Sequence, residues 1–366
     1  MNTLLSIGPL NLTPYGLAVL TGVLAGVLLC LLNKKIFPLL PLTILGAVVL
    51  GHAFWVFLRL DGYMDEVSSF AFMFQPWLGG YTLYGALIGG ALGALAGAKL
   101  SGIRPLEALD SLAPAACAVL FFCRIGEYYT GEGVGAEALE SLSFFPIAST
   151  GLNDGFWLYA VWFWEAVAAL IILVILLFRR KKAQTGELTV LFTTLLGTSQ
   201  ILLEQFRKDN FVRLNSFVRF TQIAAILTLL ALMICLVIRR KPGKAKAGLS
   251  FAVLAVATGA LVFAEFVFDK PQMEPLLYIT MIATAVLFGI LLIHFRGEAG
   301  KLSAGFFALF SGILVLLYIL ATADPDASGF QYTILLDLMM LSSLTAIGVT
   351  LMTLYHTEPA LPPSAS

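Results

Sequence analysis

Arg124-Ile125-Gly126-Glu127-Tyr128-Tyr129-Thr130-Gly131-Glu132-Gly133-Val134-Gly135 follows directly on an apolar run at residues 112–123. The junction places an arginine where a hydrocarbon-length helix gives way to a loop. Charge at that depth is costly, so an arginine there has a partner or a task. Glu127, Glu132 and Glu137 supply carboxylates within reach. The glycines let the backbone approach another group closely or take positive φ. Tyr128 and Tyr129 have the amphipathic character of interface anchors. Two readings stand: an interfacial salt bridge beside a flexible loop, or a working site.

Composition places the chain in a membrane. Of 366 residues, 59% are hydrophobic and 12% charged, and the mean hydropathy is +0.93. Apolar runs of about 20 residues are long enough to cross a bilayer as helices. The expected fold is an all-α polytopic membrane protein with about eleven transmembrane helices, at 14–32, 37–58, 80–100, 107–124, 155–178, 188–206, 217–238, 249–268, 275–295, 303–322 and 331–355. With the N-terminus outside and the C-terminus cytoplasmic, 15 of the 22 Lys and Arg residues fall on the cytoplasmic side and 7 outside, in line with the positive-inside rule. Four of the external seven (Arg207, Lys208, Arg213, Arg219) crowd into one loop, a pattern that suits an anionic headgroup. Balanced charge, 22 acidic against 22 basic residues, argues against a nucleic-acid partner.

No cleavable signal peptide is expected, because the first ten residues lack a basic region and a small-residue cleavage site. The cysteines (Cys30, Cys117, Cys123, Cys235) lie inside expected helices, and the three histidines are not neighbours. Neither a metal nor another cofactor is expected.

Several polar residues sit within the apolar framework. Tyr15 opens the first span after Pro14, as an interface tyrosine or a site residue. His52 lies in the second span, either as a hydrogen-bonded buried histidine or as a proton-handling group. Residues 61–78 are too polar to span and read as an interfacial arm. Glycines at 85, 89, 93 and 97 recur every four residues, a face suited to close helix contact. Glu165, placed about ten residues into the fifth span, must be paired or protonated in hydrocarbon. Gln200, Glu204 and Arg207 fall on one helical face by spacing, with Glu204 a partner for Arg207 or Arg124. The expected domains are a membrane domain at 1–240, a basic cytoplasmic linker at 241–248, an appended four-helix module at 249–356 and a disordered tail at 357–366.

Three segments together resemble the bacterial prolipoprotein diacylglyceryl transferase family. Pro14-Tyr15-Gly16-Leu17 is similar to its Trp-Tyr-Gly-Leu entrance. Gly79-Gly80 with Tyr84-Gly85-Ala86-Leu87-Ile88-Gly89 is similar to its Gly-Gly and His-Gly-Gly-Leu-Ile-Gly. The Arg124–Gly135 stretch, preceded by Asp110 and Pro114, resembles its Arg-Ile-Gly-Asn-Phe-x-Asn-Gly-Glu-x-x-Gly signature. Trp164-Glu165, Glu204 with Arg207, and Thr221-Gln222-Ile223 add weaker agreement, and order and spacing agree over residues 8–238.

The resemblance implies transfer of a diacylglyceryl group from phosphatidylglycerol, or another anionic phospholipid, to the lipobox cysteine thiol of a prolipoprotein. It places the reaction at the outer face of the bacterial cytoplasmic (inner) membrane, in an integral multi-pass protein. By that resemblance Arg124 binds the lipid phosphate, Glu132 fixes Arg124 or the glycerol, and Tyr15 and Tyr84 join them as catalytic residues. Gly85, Glu127, Gly135, Gln200, Glu204, Arg207, Arg219 and His52 line the substrate site. The sequence departs from the family pattern at four of these positions: Tyr84 stands for a histidine, Glu127 for an asparagine, Gln200 for an arginine and His52 for an arginine. The alternatives are a relative that binds lipid or lipoprotein without turnover, and a transporter. Polar residues at the outer edge, rather than the midplane, weigh against the transporter.

Overall fold

The computed structural model describes residues 4–7, 10–58, 80–138, 140, 143–150, 155–204, 206–208, 219–268 and 343–357. The elements follow one another as β1 (Leu5–Ile7), β2 (Leu10–Leu12), α1 (Pro14–Cys30), a 3-10 helix (Leu31–Leu39), α2 (Leu40–Leu58), α3 (Leu83–Leu100), α4 (Pro105–Glu127), β3 (Ala148–Thr150), β4 (Trp157–Tyr159), α5 (Val161–Arg179), α6 (Glu187–Glu204), α7 (Phe220–Arg240) and α8 (Lys244–Phe268). A last helix, α9, covers Ser343–Tyr355. They divide into two compact units, Met1–Phe192 with Phe206–Val212, and Thr193–Gln205 with Arg213–Ser366.

The first unit is built on antiparallel helix pairs whose contacts run in opposite chain directions. On α1 and α4, Gly22 faces Val119 and Phe122, Gly26 faces Ala115, and Gly126 faces Tyr15 and Ala18. On α2 and α3, Gly51 meets Ala86, Gly46 meets Gly89, and Gly93 meets Leu42. A Cβ at Gly89 would run into the Gly46 carbonyl, so the backbones touch and only glycine fits there. The regular glycines thus form the close helix face that their spacing predicts. Residues Cys30, Ile36, Leu39, Ala94, Ala98, Ala108, Leu112 and Ala115 form a shared core at the far end of this unit.

The helices are inside-out relative to a water-soluble bundle. Gly22, Gly26 and Cys30 of α1 face inward, while Leu17, Leu20, Leu24 and Leu28 are exposed. Leu170, Ile171, Val174 and Ile175 are likewise exposed on α5. Such stripes are stable only where the surrounding solvent is itself apolar. Five described helices are long and apolar enough to cross a membrane, Asn33–Leu58, Leu83–Leu100, Pro105–Thr130, Val161–Arg179 and Phe220–Arg240, with Pro14–Cys30 shorter.

Local sequence explains most element ends. Pro14 occupies the first turn of α1, and the Thr13 hydroxyl accepts from Gly16 N at 3.1 Å. The Thr82 hydroxyl caps α3 in the same way, accepting from Gly85 N at 3.2 Å. Asp110 ties the α5–α6 turn to α4: its carboxylate accepts from Gly186 N, from Thr189 N at 2.8 Å and from the Thr189 hydroxyl at 2.6 Å. Arg179 at the end of α5 donates to Glu187 at 2.6 Å.

In the second unit, Gly197 of α6 packs against Leu229 of α7, and Gly348 of α9 lies against Thr194. The Arg240 guanidinium sits 4.6 Å from the centre of the Tyr355 ring.

Described helices stand at the first eight expected spans, and α9 lies within the last. The expected spans at 275–295 and 303–322, the arm at 61–78 and most of the tail lie outside the described residues. Helix α8 begins at Lys244, inside the stretch expected as the linker at 241–248. Two expectations are corrected. Glu165 is the fifth residue of α5 rather than about ten residues deep, because residues 157–159 form a strand before the helix starts. Two short antiparallel hairpins, β1–β2 and β3–β4, stand where no strand was expected.

Candidate functional site

The end of α4 is held in place by its own loop. After Glu127 the chain makes a 3-10 turn through Tyr128–Thr130 and reverses at Gly131, where φ is +75. The Thr130 hydroxyl donates to Glu127 O at 2.9 Å, and Glu132 N donates to that hydroxyl at 3.3 Å. The loop is then laced to the next elements: Trp162 N donates to Gly133 O at 2.7 Å, Gly135 N to Tyr159 O at 2.8 Å, and Lys208 N to Val134 O at 2.8 Å. At Gly133, with φ +69, a Cβ would stand 2.5 Å from a Glu127 carboxylate oxygen and 2.8 Å from Trp162. The glycine-rich sequence is therefore required by close approach and positive φ, and the loop is structured.

That lacing brings four charged side chains together in the first unit. Arg124 is ion-paired with Glu127 one turn on, and its Nη1 lies 3.3 Å from Glu165 Oε2. Arg207 Nη1 donates to the same Glu165 oxygen at 3.0 Å and lies 3.3 Å from Glu127 Oε2. All four residues are buried, Glu165 to 2% exposure. Two guanidiniums and two carboxylates make the set formally neutral. Each carboxylate contacts both arginines, which offsets the high cost of burying charge. Tyr15, the second residue of α1, packs against the last turn of α4 at Gly126. An array of buried guanidiniums at a membrane-embedded helix end can hold a phosphate if a carboxylate yields its place.

Antiparallel packing sets the levels of the other residues. Helices α3 and α4 are joined by residues 101–104, with Ile103 N donating to Ala98 O at 2.9 Å. The start of α3 therefore lies toward the same end of the bundle as Arg124. Tyr84 and Gly85 sit in that first turn, and His52 lies opposite on α2, all three buried. A Cβ at Gly85 would meet the Thr82 hydroxyl at 2.5 Å and Leu50 O at 2.6 Å. His52 Nδ1 lies 3.0 Å from Gly80 O. Its ring stacks on Trp55 with centroids 6.1 Å apart and leans on Tyr81 at 5.8 Å. Lys34, Lys35, Lys99, Arg104 and residues 179–182 lie toward the opposite end by the same alternation.

The prolipoprotein diacylglyceryl transferase family model matches residues 2–238. The chain belongs to that family. A phosphatidylglycerol–prolipoprotein diacylglyceryl transferase of Streptococcus suis strain 05ZYH33 is 29% identical over 255 residues, 65% of this chain and 92% of that protein. The protein of the same name from Streptococcus pneumoniae strain JJA is 28% identical over 255 residues, covering 65% of this chain and 94% of its own.

Within this transferase-family chain, the residues singled out from sequence divide into groups. Arg124, Glu127 and Arg207 come together, with Tyr15 beside them. Glu132 is exposed on the turn, within electrostatic reach of Tyr15. Glu127 and Glu165 contact Arg124 directly. Gly135 is buried, and a Cβ there would meet Tyr159 at 2.7 Å and Phe206 O at 3.0 Å. Gln200, Glu204 and Arg219 belong to the second unit, where Arg219 Nη1 lies 3.9 Å from Glu204 Oε1 and Arg219 N donates to Gln222 Oε1 at 3.1 Å. Helix α6 covers Glu187–Glu204, so Arg207 lies beyond its last residue. Within the first unit, Glu127 and Glu165 both contact Arg207. Glu165 was expected to need a partner but was not counted in the site. Its signal was present all the same, a lone carboxylate near the start of an apolar helix.

Proposed function

We infer that this protein transfers the diacylglyceryl group of phosphatidylglycerol to the cysteine thiol of a prolipoprotein, releasing glycerol phosphate. The observation that carries this is the buried pair Arg124 and Arg207 at one end of an apolar helix bundle. Phosphate departure needs fixed positive charge, and two guanidiniums steadied by Glu165 supply it where a lipid headgroup meets hydrocarbon. Arg124 and Arg207 receive the phosphate, and Glu165 holds both in place. Tyr15, Tyr84, Gly85 and Gly135 shape the same end of the bundle.

The reading extends to topology and placement. The site end faces the outer leaflet of the bacterial cytoplasmic membrane, the N-terminus is outside, and about eleven spans cross it. The segregation of basic residues supports this orientation. Residues 249–356 are an appended module, a division supported by the end of the family match at residue 238.

The test uses purified protein, phosphatidylglycerol and a synthetic lipobox peptide, read by mass spectrometry. A diacylglyceryl adduct on the peptide cysteine is expected. Lipid binding with no adduct across several anionic lipids would instead favour a relative without turnover.

A further inference from the structure

We propose that His52 is the proton acceptor for the substrate thiol, with Nε2 as the receiving atom; this rests on the transferase reading above. His52 is 5% exposed, and its Nδ1 lies 3.0 Å from Gly80 O. A carbonyl only accepts, so Nδ1 carries the ring proton and Nε2 holds the lone pair. Among the described residues, that buried nitrogen has no hydrogen-bond partner. Buried polar atoms are nearly always satisfied, so an orphaned one calls for an explanation. An arriving S–H group supplies the missing donor.

The ring is fixed for this task. Trp55 stacks on it with an interplanar angle of 16° and Tyr81 leans on it at 56°. Gly80, at φ +81, lies so close to Trp55 that a Cβ would approach the indole to 2.5 Å. The carbonyl that sets the tautomer is therefore itself held in place. His52 also stands at the right height. Gly51 packs against Ala86 and Tyr81, which places His52 level with the first turn of α3. At 1.5 Å per residue, that turn lies about 24 Å along α3 from the link to α4, and Arg124 about 28 Å along α4. The two heights differ by roughly one helical turn.

Tyr84 is the less suitable acceptor. A phenol must first lose its own proton, which in water happens near pH 10, whereas a neutral imidazole has its lone pair ready. In the step itself, Nε2 takes the S–H proton and the thiolate attacks the glyceryl carbon. The S–C bond forms and the C–O bond to phosphate breaks. The electron pair leaves on the phosphate oxygen, and the imidazolium then gives up its proton to the departing glycerol phosphate or to water.

The test compares His52→Gln and His52→Ala with the unaltered protein, using two lipobox peptides with phosphatidylglycerol: one carries cysteine and the other selenocysteine. A selenol is already ionised at neutral pH and needs no base. Transfer to the thiol should fall by about 100-fold or more in both variants, while transfer to the selenol stays within a few-fold of normal. Equal losses on both peptides, or no loss on the thiol, would overturn the proposal. If the unaltered protein forms no adduct on either peptide, the transferase reading fails and the proposal fails with it. The glutamine amide can still donate to Gly80 O, so a folding defect confined to the alanine variant leaves the comparison decisive.

Discussion

Arg207 Nη1 donates to Glu165 Oε2 at 3.0 Å, and Arg124 stands 3.3 Å from that same oxygen. One carboxylate on α5 thus joins an arginine at the end of α4 to an arginine three residues past the end of α6. Replacing Glu165 by Gln removes a charged partner from both buried guanidiniums. Breaking a buried pair in this way costs about 3–5 kcal/mol. The Glu165→Gln protein should melt at a clearly lower temperature in detergent micelles. An unchanged midpoint would mean the bridge contributes nothing to the fold.

Glu127 acts on the same arginines with the opposite consequence for lipid. It contacts both Arg124 and Arg207, so it competes with an incoming phosphate. Glu127→Asn takes the cluster from neutral to one net positive charge. Phosphatidylglycerol should then bind about tenfold more tightly, equivalent to about 1.4 kcal/mol. Titration of the lipid into mixed micelles measures this, and weaker binding would contradict it.

The α2–α3 contact sets a steric limit. A methyl group at Gly89 would meet the Gly46 carbonyl, which belongs to backbone and cannot swing away. Gly89→Ala should destabilise the protein by about 1–3 kcal/mol, read as a lower thermal midpoint. It should also disturb the start of α3, where Tyr84 sits.

Far from the candidate site, Asp110 accepts from Gly186 N, Thr189 N and the Thr189 hydroxyl. Asp110→Ala strands these donors, at about 1–3 kcal/mol for each one left buried and unsatisfied. Asp110→Asn keeps an acceptor oxygen and should recover part of the loss. Equal midpoints for the alanine variant and the unaltered protein would count against the anchor.

The membrane class and most helix positions are readable from composition and run length, because hydrocarbon imposes both. The glycine face at 85, 89, 93 and 97 was equally plain, since only small residues allow such an approach. Charge partnerships were harder to read. Spacing places Gln200, Glu204 and Arg207 on one face, but Arg207 lies beyond Glu204, the last residue of α6, and it contacts Glu127 and Glu165. By resemblance Glu132 is the carboxylate that fixes Arg124, whereas Glu127 departs from the family pattern. After the reversal at Gly131, Glu127 ends the helix and Glu132 is exposed, and both carboxylates stay within electrostatic reach of Tyr15. The tie between His52 and Gly80 joins residues 28 apart in sequence, across a segment without regular periodicity.

The most direct measurement is release of glycerol phosphate from headgroup-labelled phosphatidylglycerol in proteoliposomes containing a lipobox peptide. The comparison is among the unaltered protein, Arg124→Ala and Arg124→Lys. If Arg124 offsets charge on the departing phosphate, the alanine variant should lose about 100-fold or more in rate. The lysine variant, which keeps the charge but not the forked geometry, should fall between the two. Release by Arg124→Ala at the unaltered rate would contradict the assignment of this buried cluster as the phosphate site.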